Sequence, residues 1–324
     1  MSTDKNSIII GTRGSQLALW QTNWMKSTLE KEFCKLHIEI EIIKTTGDKI
    51  LDSPLSKIGD KGLFTKEIEQ ALLEHRIDIA VHSLKDVPTK LPDGLTIGAI
   101  TKREDVRDVF IAHPKKPYQK FDDLPHGAKI ATGSLRRKSQ LLNWRNDLEI
   151  IDLRGNLNTR FTKLYASDWN GMVLARAGVV RLGWERRITE IFSIEKMLPA
   201  VGQGALAIEL REGDTKTLQY VRRLANETTT IATNGERAFL RYLEGGCQIP
   251  IGTFGRIEKN EFVLDAMIGS LGGTKIVRGK IHGSPEQSEK LGITLAQTLL
   301  VGGGEDILTS VRGETQESSS DTPS

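Results

Sequence analysis

A chain of 324 residues is too long for one comfortable core, so two or three domains are expected. Its content of 38% hydrophobic and 27% charged residues is that of an ordinary soluble globular protein. Forty-five basic residues against forty-two acidic leave only +3, too little for a protein that lives on nucleic acid.

The opening MSTDKNS lacks the basic-then-apolar layout of an export signal, and no apolar run approaches the roughly 18 residues of a membrane span, so a cytoplasmic location is expected. SIIIGT then reads as a strand, after which Leu17, Trp20, Trp24 and Thr28 fall on one face of a helix. LHIEIEII alternates Leu36, Ile38, Ile40 and Ile42 with His37, Glu39 and Glu41, the pattern of a half-buried strand. The stretch TTGDKILDSPLSKIGDKGLF has no sustained period, and a loop of that length is usually functional or mobile.

Further on, TKEIEQALLEHR reads as a helix and DIAVHSL as a buried strand. Strand and helix then repeat: AKIAT before SLRRKSQLLNW, LEIIDL before NLNTRFTKLYA, GMVLA before RAGVVRLG. That repetition argues for α/β architecture with mainly parallel sheets. From Asn226 the character changes: one long helix ends at Gly245 and Gly246, then IPIGTFGRIE, EFVLDAMIG and TKIVRGKIH read as sequential antiparallel strands. With the closing helix SPEQSEKLGITLAQTLL they make a separate small α+β domain, and the polar tail ETQESSSDTPS is expected to be disordered.

In open α/β sheets ligands bind beyond the carboxyl ends of the strands, where helix N-termini point. Those positions are rich in cations. Arg13 and Ser15 follow SIIIGT; Lys85 and Asp86 follow IAVHSL; Ser134, Arg136 and Arg137 follow AKIATG; Arg154 follows LEIIDL; Arg176 and Arg181 follow GMVLA. Arg160 lies on the helix after Arg154, and the long loop adds Lys57 and Lys61. Any one of these could be a solvated surface arginine. Five cationic strand ends together oppose the helix macrodipoles unless an anion sits there, and guanidinium forks suit carboxylate or phosphate.

The usual phosphate cradles are missing. No GxxxxGK[ST] occurs, and GQGALA at Gly202–Ala207 precedes a strand-like run instead of joining a strand to a helix, so several carboxylates are the better guess. Asp86 is the odd acid among the cations. It is either a partner of Lys85 and a turn acceptor before Val87-Pro88, or a carboxylate held for a cation that forms only during reaction. The two cysteines exclude a disulfide framework, and the six scattered histidines imply no metal site. Cys34 reads as a small packed residue on its helix, whereas LEGGCQIP sets Cys247 behind two glycines that leave it open to approach.

GTRGSQLAL, GDKGLF, DIAVHSLKDVPT, SLRRKSQL, LRGNLNTR, LPAVGQGAL and LEGGCQIPIG together resemble the hydroxymethylbilane synthase, or porphobilinogen deaminase, family through nearly the whole sequence to about residue 312. Departures are few: Val106 where the family usually has proline, Gly133 for a usual serine, and Arg176 where a small or apolar residue is common. The resemblance implies an enzyme that joins four porphobilinogen molecules head to tail with loss of ammonia, releasing linear hydroxymethylbilane. It further implies a dipyrromethane cofactor held by a thioether on Cys247, and Asp86 as the catalytic aspartate.

By the same resemblance Arg13, Ser15, Lys85, Ser134, Arg136, Arg137, Arg154, Arg160 and Arg181 bind carboxylates of cofactor and substrate, and Lys57, Lys61 and Phe64 belong to a lid. The implied fold is two periplasmic-binding-protein-like lobes, 1–103 with 202–224 and 104–201, plus a third α+β domain, 225–313, ahead of the tail 314–324. A monomer acting on a small molecule, without nucleic acid or membrane, is expected. A solute-binding protein for a polyanion would share the lobes and arginines but explains neither the absent export signal nor the exposed Cys247. A nucleic-acid binder is opposed by the modest charge and by the lack of aromatics among the arginines.

Overall fold

The computed structural model describes residues 7–49, 64–116, 118–244 and 249–320, which build three sheets. The first, of order β2-β1-β3-β10-β4, contains β1 (Ser7–Thr12), β2 (His37–Ile42), β3 (Ile79–Ser83), β4 (Leu95–Ile100) and β10 (Leu206–Arg211). β1 pairs in parallel with β2 and β3, while β10 is antiparallel to both β3 and β4, so β10 runs against the other four. Ile dominates these strands because β-branched side chains pack well on a sheet covered on both faces. One face is closed by Met25 and Leu29 of α1 (Gln16–Glu32) and Val221 of α7 (Thr215–Val221), which pack on Ile8, Ile10, Ile38, Ile79 and Ile208. On the other face α3 (Lys66–Leu73), which follows the short α2 (Thr46–Lys49), packs Ile68 and Leu72 on Ile77 and Ala80.

The second sheet repeats the plan with order β7-β6-β8-β5-β9. Its strands are β5 (Asp108–Ala112), β6 (Lys129–Ala131), β7 (Glu149–Ile151), β8 (Gly171–Ala175) and β9 (Glu190–Ile191). β6 is parallel to β7 and β8, and β5 is the reversed strand, antiparallel to β8 and β9. Leu141 of α4 (Leu135–Trp144) covers one face with Phe110 and Val173. Phe161 and Leu164 of α5 (Leu157–Ala166), with Val179 of α6 (Arg176–Arg181), cover the other.

Each reversed strand is the one on which the polypeptide enters a lobe from the other: β4 leads into β5, and β9 leads back into β10. The sheets are thus mixed, half parallel and half antiparallel in their pairings, with four strands of each pointing the same way. β4 and β5 lie outside the expected strand–helix series because neither is followed by a helical period; both lead into or out of a crossing. The third sheet is an antiparallel meander of β11 (Ile251–Glu258), β12 (Glu261–Gly269) and β13 (Ile276–Gly283). α8 (Glu227–Tyr242), α9 (Ser288–Leu299) and α10 (Glu305–Ser320) bury Phe239, Leu295, Leu299, Ile307 and Leu308 against Phe262, Leu264 and Ile268.

Three local expectations are corrected. The α1 face marked by Leu17, Trp20, Trp24 and Thr28 is not the one turned to the sheet: the buried residues are Gln21, Thr22, Met25 and Leu29, while Trp24 is exposed. Both faces carry apolar residues, and the Trp face is directed toward α6, which lies alongside α1. Cys34 is exposed, not packed, because α1 ends at Glu32 and its cap Phe33 takes the inward position, its ring 4.8 Å from that of Tyr220. Finally, α10 runs to Ser320 through residues expected to be disordered: Ile307, Leu308 and Val311 anchor its first turns, from which the helix continues.

Candidate active site

Because β1 and β3 are parallel, their carboxyl ends share one end of the first sheet, and those of β6, β7 and β8 share one end of the second. The expected cations and Asp86 follow these ends. Arg13 stacks its guanidinium over the Phe64 ring at 4.3 Å. The Ser15 hydroxyl is engaged as the N-cap of α1, accepting from the Ala18 N–H at 3.2 Å.

Lys85 and Asp86 occupy a single 3-10 turn, Leu84–Asp86, after β3, and both side chains are exposed while Leu84 is buried. The turn is seated by its root. The Leu84 N–H donates to the Ala205 carbonyl, and Gly202, at φ +70°, approaches so closely that a Cβ there would lie 2.7 Å from Leu84 Cγ. Only glycine combines that positive φ with that contact.

Across the crossings, α4 begins at Ser134, whose side chain makes no cap bond to the helix, and no acid stands in its first turn. α1, α5 and α8, by contrast, are each capped by a side-chain oxygen. Gly133 fits a close contact, since a Cβ there would lie 2.5 Å from the Leu153 carbonyl oxygen. The departure from serine therefore goes with tight packing of the α4 start on the segment leading to Arg154.

Arg136 and Arg137 are buried and converge on Asp108 at the start of β5: Arg136 Nη1 lies 2.8 Å from Oδ2 and Arg137 Nη2 2.9 Å from Oδ1. Arg136 also donates to the Leu198 carbonyl, Arg137 to the Val173 carbonyl, and Gln203 Nε2 to Asp108 Oδ1 at 2.9 Å. Burial alone would raise the Asp108 pKa, yet the two guanidiniums drive it far below the ordinary carboxylate range. One carboxylate faces two guanidiniums, so a net positive charge remains at an uncapped helix start. The buried Nε atoms of both arginines have no hydrogen-bond partner.

Arg160 donates through Nε to the Gly155 carbonyl, and Arg154 lies 3.8 Å from Asp152. Burial, then Arg137, lowers the Arg160 pKa to about 10 against the opposing charge of Asp86. Lys85 is exposed; desolvation by the neighbouring protein lowers its pKa, Asp86 opposes this, and Arg137 and Arg160 add to it. Lys85, Arg137, Arg154 and Arg160, with the carboxylates of Asp86, Asp108 and Asp152, are therefore one electrostatic cluster between the two sheets. Arg181 stands apart. It is buried, donates to the Gly204 carbonyl at 2.7 Å and borders a hollow between α1 and α6 lined by Gln16, Trp20 and Asn23. Arg176 pairs with Asp105 at 3.4 Å beside Arg107, so this departure is absorbed by a local ion pair at the first crossing.

Four residues missed in the sequence hold the crossings. Arg103 and Glu236 form a buried two-pronged pair at 2.6 and 3.1 Å, and Glu236 also accepts from the Gly202 and Gly255 N–H groups at 2.7 Å each. Gln203 bonds the Val106 carbonyl across the two crossings; Val106 itself is buried, which satisfies the position without proline. Arg237, next to Glu236, donates to the carbonyls of Val87 and Pro88. A signal existed: Thr229, Ala232, Glu236 and Phe239 recur at helical spacing, and an acid on such an apolar stripe asks for a partner.

An uncapped α4 and a cluster in which Lys85, Arg136, Arg137, Arg154 and Arg160 outnumber the carboxylates of Asp86, Asp108 and Asp152 suit a ligand with several carboxylates. Lys57, Lys61 and Cys247 lie outside the described residues, and α8 ends at Tyr242, five positions before Cys247 in the sequence.

The family description "Porphobilinogen deaminase, dipyromethane cofactor binding domain" matches residues 8–219, and "Porphobilinogen deaminase, C-terminal domain" matches residues 230–301. A porphobilinogen deaminase of Chlorobaculum parvum is 54% identical over 311 residues, 95% of this chain and 99% of its own. Those of Desulforamulus reducens and Carboxydothermus hydrogenoformans are 49% and 50% identical, over 95% and 97% of this chain and 99% and 100% of their own. Among solved structures, the methionine binding protein MetQ is similar at 15% identity and a TM-score of 0.45, over 68% of this chain and 90% of its own.

Proposed function

Because the chain belongs to the porphobilinogen deaminase family, we propose that Asp86 is the carboxylate on which its reaction turns. The activity is that of a hydroxymethylbilane synthase, a transferase that condenses four porphobilinogen molecules head to tail on a dipyrromethane cofactor, releases ammonia at each addition, and frees linear hydroxymethylbilane by hydrolysis. The observation that carries the Asp86 assignment is its place, exposed just past the end of β3 and facing Lys85 and Arg160, while Asp108 is bound to Arg136 and Arg137 and Asp152 lies beside Arg154.

When bound, the dipyrromethane supplies the free pyrrole carbon to which the first substrate is joined. Loss of ammonia breaks the C–N bond to the substrate's amino group and leaves a cation delocalised over its pyrrole. A fixed carboxylate at Asp86 stabilises that charge as it develops and accepts the pyrrole N–H. Arg13, Lys85, Arg137, Arg154 and Arg160, with Ser15 and Ser134, bind the acetate and propionate groups, each charge-assisted contact contributing about 1.5–3 kcal/mol. Arg136, bound to Asp108 beside Arg137, adds its charge to the same purpose. Arg181, apart in the hollow beside α1, binds a carboxylate at another stage of the reaction.

Cys247 is the proposed attachment point, and Lys57, Lys61 and Phe64 the lid; the stacking of Phe64 on Arg13 supports that grouping. Three working domains are proposed with it: 1–103 with 202–224, 104–201, and 225–313, followed by the tail 314–324. A cytoplasmic monomer that takes a small-molecule substrate and no nucleic acid completes the reading. It is supported by the +3 charge and by the lack, among the described residues, of a helix long and apolar enough to cross a membrane.

The test is single-turnover ammonia release by Asp86→Asn enzyme shown by intact mass to hold the dipyrromethane. Asparagine keeps the shape and loses the charge, so the rate is expected to fall by about 10² to 10³. A rate within a few-fold of wild type would reduce Asp86 to a structural partner of Lys85.

A further inference from the structure

We propose that Arg237 is a positioning residue for Asp86, clamping the end of the catalytic turn to the helix that leads to Cys247. The inference rests on the Asp86 assignment above and concerns what holds that carboxylate in place.

Arg237 lies on α8, outside both large sheets, and is 6% exposed. Its guanidinium donates through Nη1 to the Val87 carbonyl at 3.1 Å and through Nη2 to the Pro88 carbonyl at 2.7 Å. Among the described residues no carboxylate pairs with it. Burial, with Arg241 nearby, lowers its pKa to about 10. A buried arginine without a counter-charge is a costly way to fill space, and an apolar residue of similar size would serve a purely packing role better. What the guanidinium adds is a planar fork whose two parallel donors fix two successive carbonyls, which neither an apolar residue nor a lysine can reproduce.

Those carbonyls belong to the two residues that immediately follow Asp86. The turn is anchored at its start by the Leu84 N–H on Ala205 and by Leu84 packed against Gly202. Its exposed half, Lys85 and Asp86, has no such anchor of its own. Arg237 supplies the restraint at the far end, so Asp86 is held between two fixed points. Glu236, the preceding residue on α8, receives Arg103 and the Gly202 N–H from the two crossings. Adjacent side chains of one helix therefore grip both ends of the frame around Asp86. The structure assigns α8 the task of holding both ends of the turn that carries Asp86 while substrates are added.

The test compares Arg237→Met and Arg237→Lys, each alone and combined with Asp86→Asn, in protein whose dipyrromethane loading has been measured by intact mass. Single-turnover ammonia release is read per loaded molecule, well below the unfolding temperature. A displacement of about 1 Å costs about 10²-fold in rate, so Arg237→Met is expected to slow release by between about ten-fold and 10²-fold, and Arg237→Lys to recover only part of it. In the Asp86→Asn background the same changes are expected to alter the rate less than about two-fold, because no carboxylate charge remains to be positioned. A purely structural role would move stability and leave the rate per loaded molecule unchanged, or slow both backgrounds equally; either result overturns the proposal. If Arg237→Met does not fold, Arg237→Lys decides by the same criterion. A wild-type rate for Asp86→Asn alone would instead refute the Asp86 assignment, and the two failures are distinct.

Discussion

Asp108→Asn removes the one negative charge that two buried guanidiniums share. In the wild-type protein Asp108 is fully buried, with Arg136 at 2.8 Å, Arg137 at 2.9 Å and Gln203 at 2.9 Å. Asparagine retains one acceptor, but its amide NH2 then either meets Arg136 as donor against donor or displaces the acceptor from Arg137 and Gln203. Breaking a buried ion pair by removing one partner costs about 3–5 kcal/mol, and here the uncompensated charges also sit at a helix N-terminus, whose dipole repels them. Since about 1 kcal/mol moves the midpoint of a domain-sized unit by about 2–8 °C, thermal unfolding followed by circular dichroism is expected to shift down by about 6 °C or more. The pH dependence carries a second signature. The folded pKa of Asp108 is depressed, so its contribution is full above the unfolded carboxylate value of about 3.9 and is lost only as pH falls through the folded value. The gap between wild type and Asp108→Asn is thus expected to be constant around neutrality and to close in strong acid. A stability change within about 1 kcal/mol at pH 7 would refute the reasoning and mean that water or a nearby group already neutralises the two arginines.

Two further outcomes are expected. Denatured wild-type protein is expected to exceed its sequence mass by two pyrrole units, Cys34→Ser to keep the adduct and Cys247→Ser to lack it; an adduct on Cys34 would contradict the attachment assignment. Glu69 is buried beside Glu209 and near His82, and burial followed by the Glu209 charge outweighs its Thr65 hydrogen bond in raising its pKa. Its favourable contribution is therefore full below the unfolded pKa and lost as pH rises through the folded one. Glu69→Gln is accordingly expected to raise the unfolding temperature at pH 8 and to change it little at pH 4; equal shifts at both would show that Glu69 does not titrate in this way.

Much of the site was legible in the sequence. β1, β3, β6, β7 and β8 fall where short apolar runs predicted them, and each is followed by the charged residue singled out there. These features are local: a strand's period, a helix start and the side group just past a strand end are all encoded within a few residues. The lid lysines and Cys247 remain readings of the sequence, since they lie outside the described residues.

Other features depended on which parts of the polypeptide meet. Leu17, Trp20 and Trp24 have the spacing of a buried stripe, but so do Met25 and Leu29, and only the sheet packed beneath α1 decides which face is covered. The arginines at 136 and 137 looked like free anion receptors. In the fold they are held by Asp108, 29 residues from Arg137, and by Gln203, 95 residues from Asp108. Arg103 finds Glu236 across 133 residues, and Arg237 finds the carbonyl after Asp86 across 150. Charge type and helical phase are properties of the sequence alone. The choice of partner for a buried charge belongs to the tertiary structure, because a charge removed from water must be matched by whatever group the packed fold brings within a few ångströms of it.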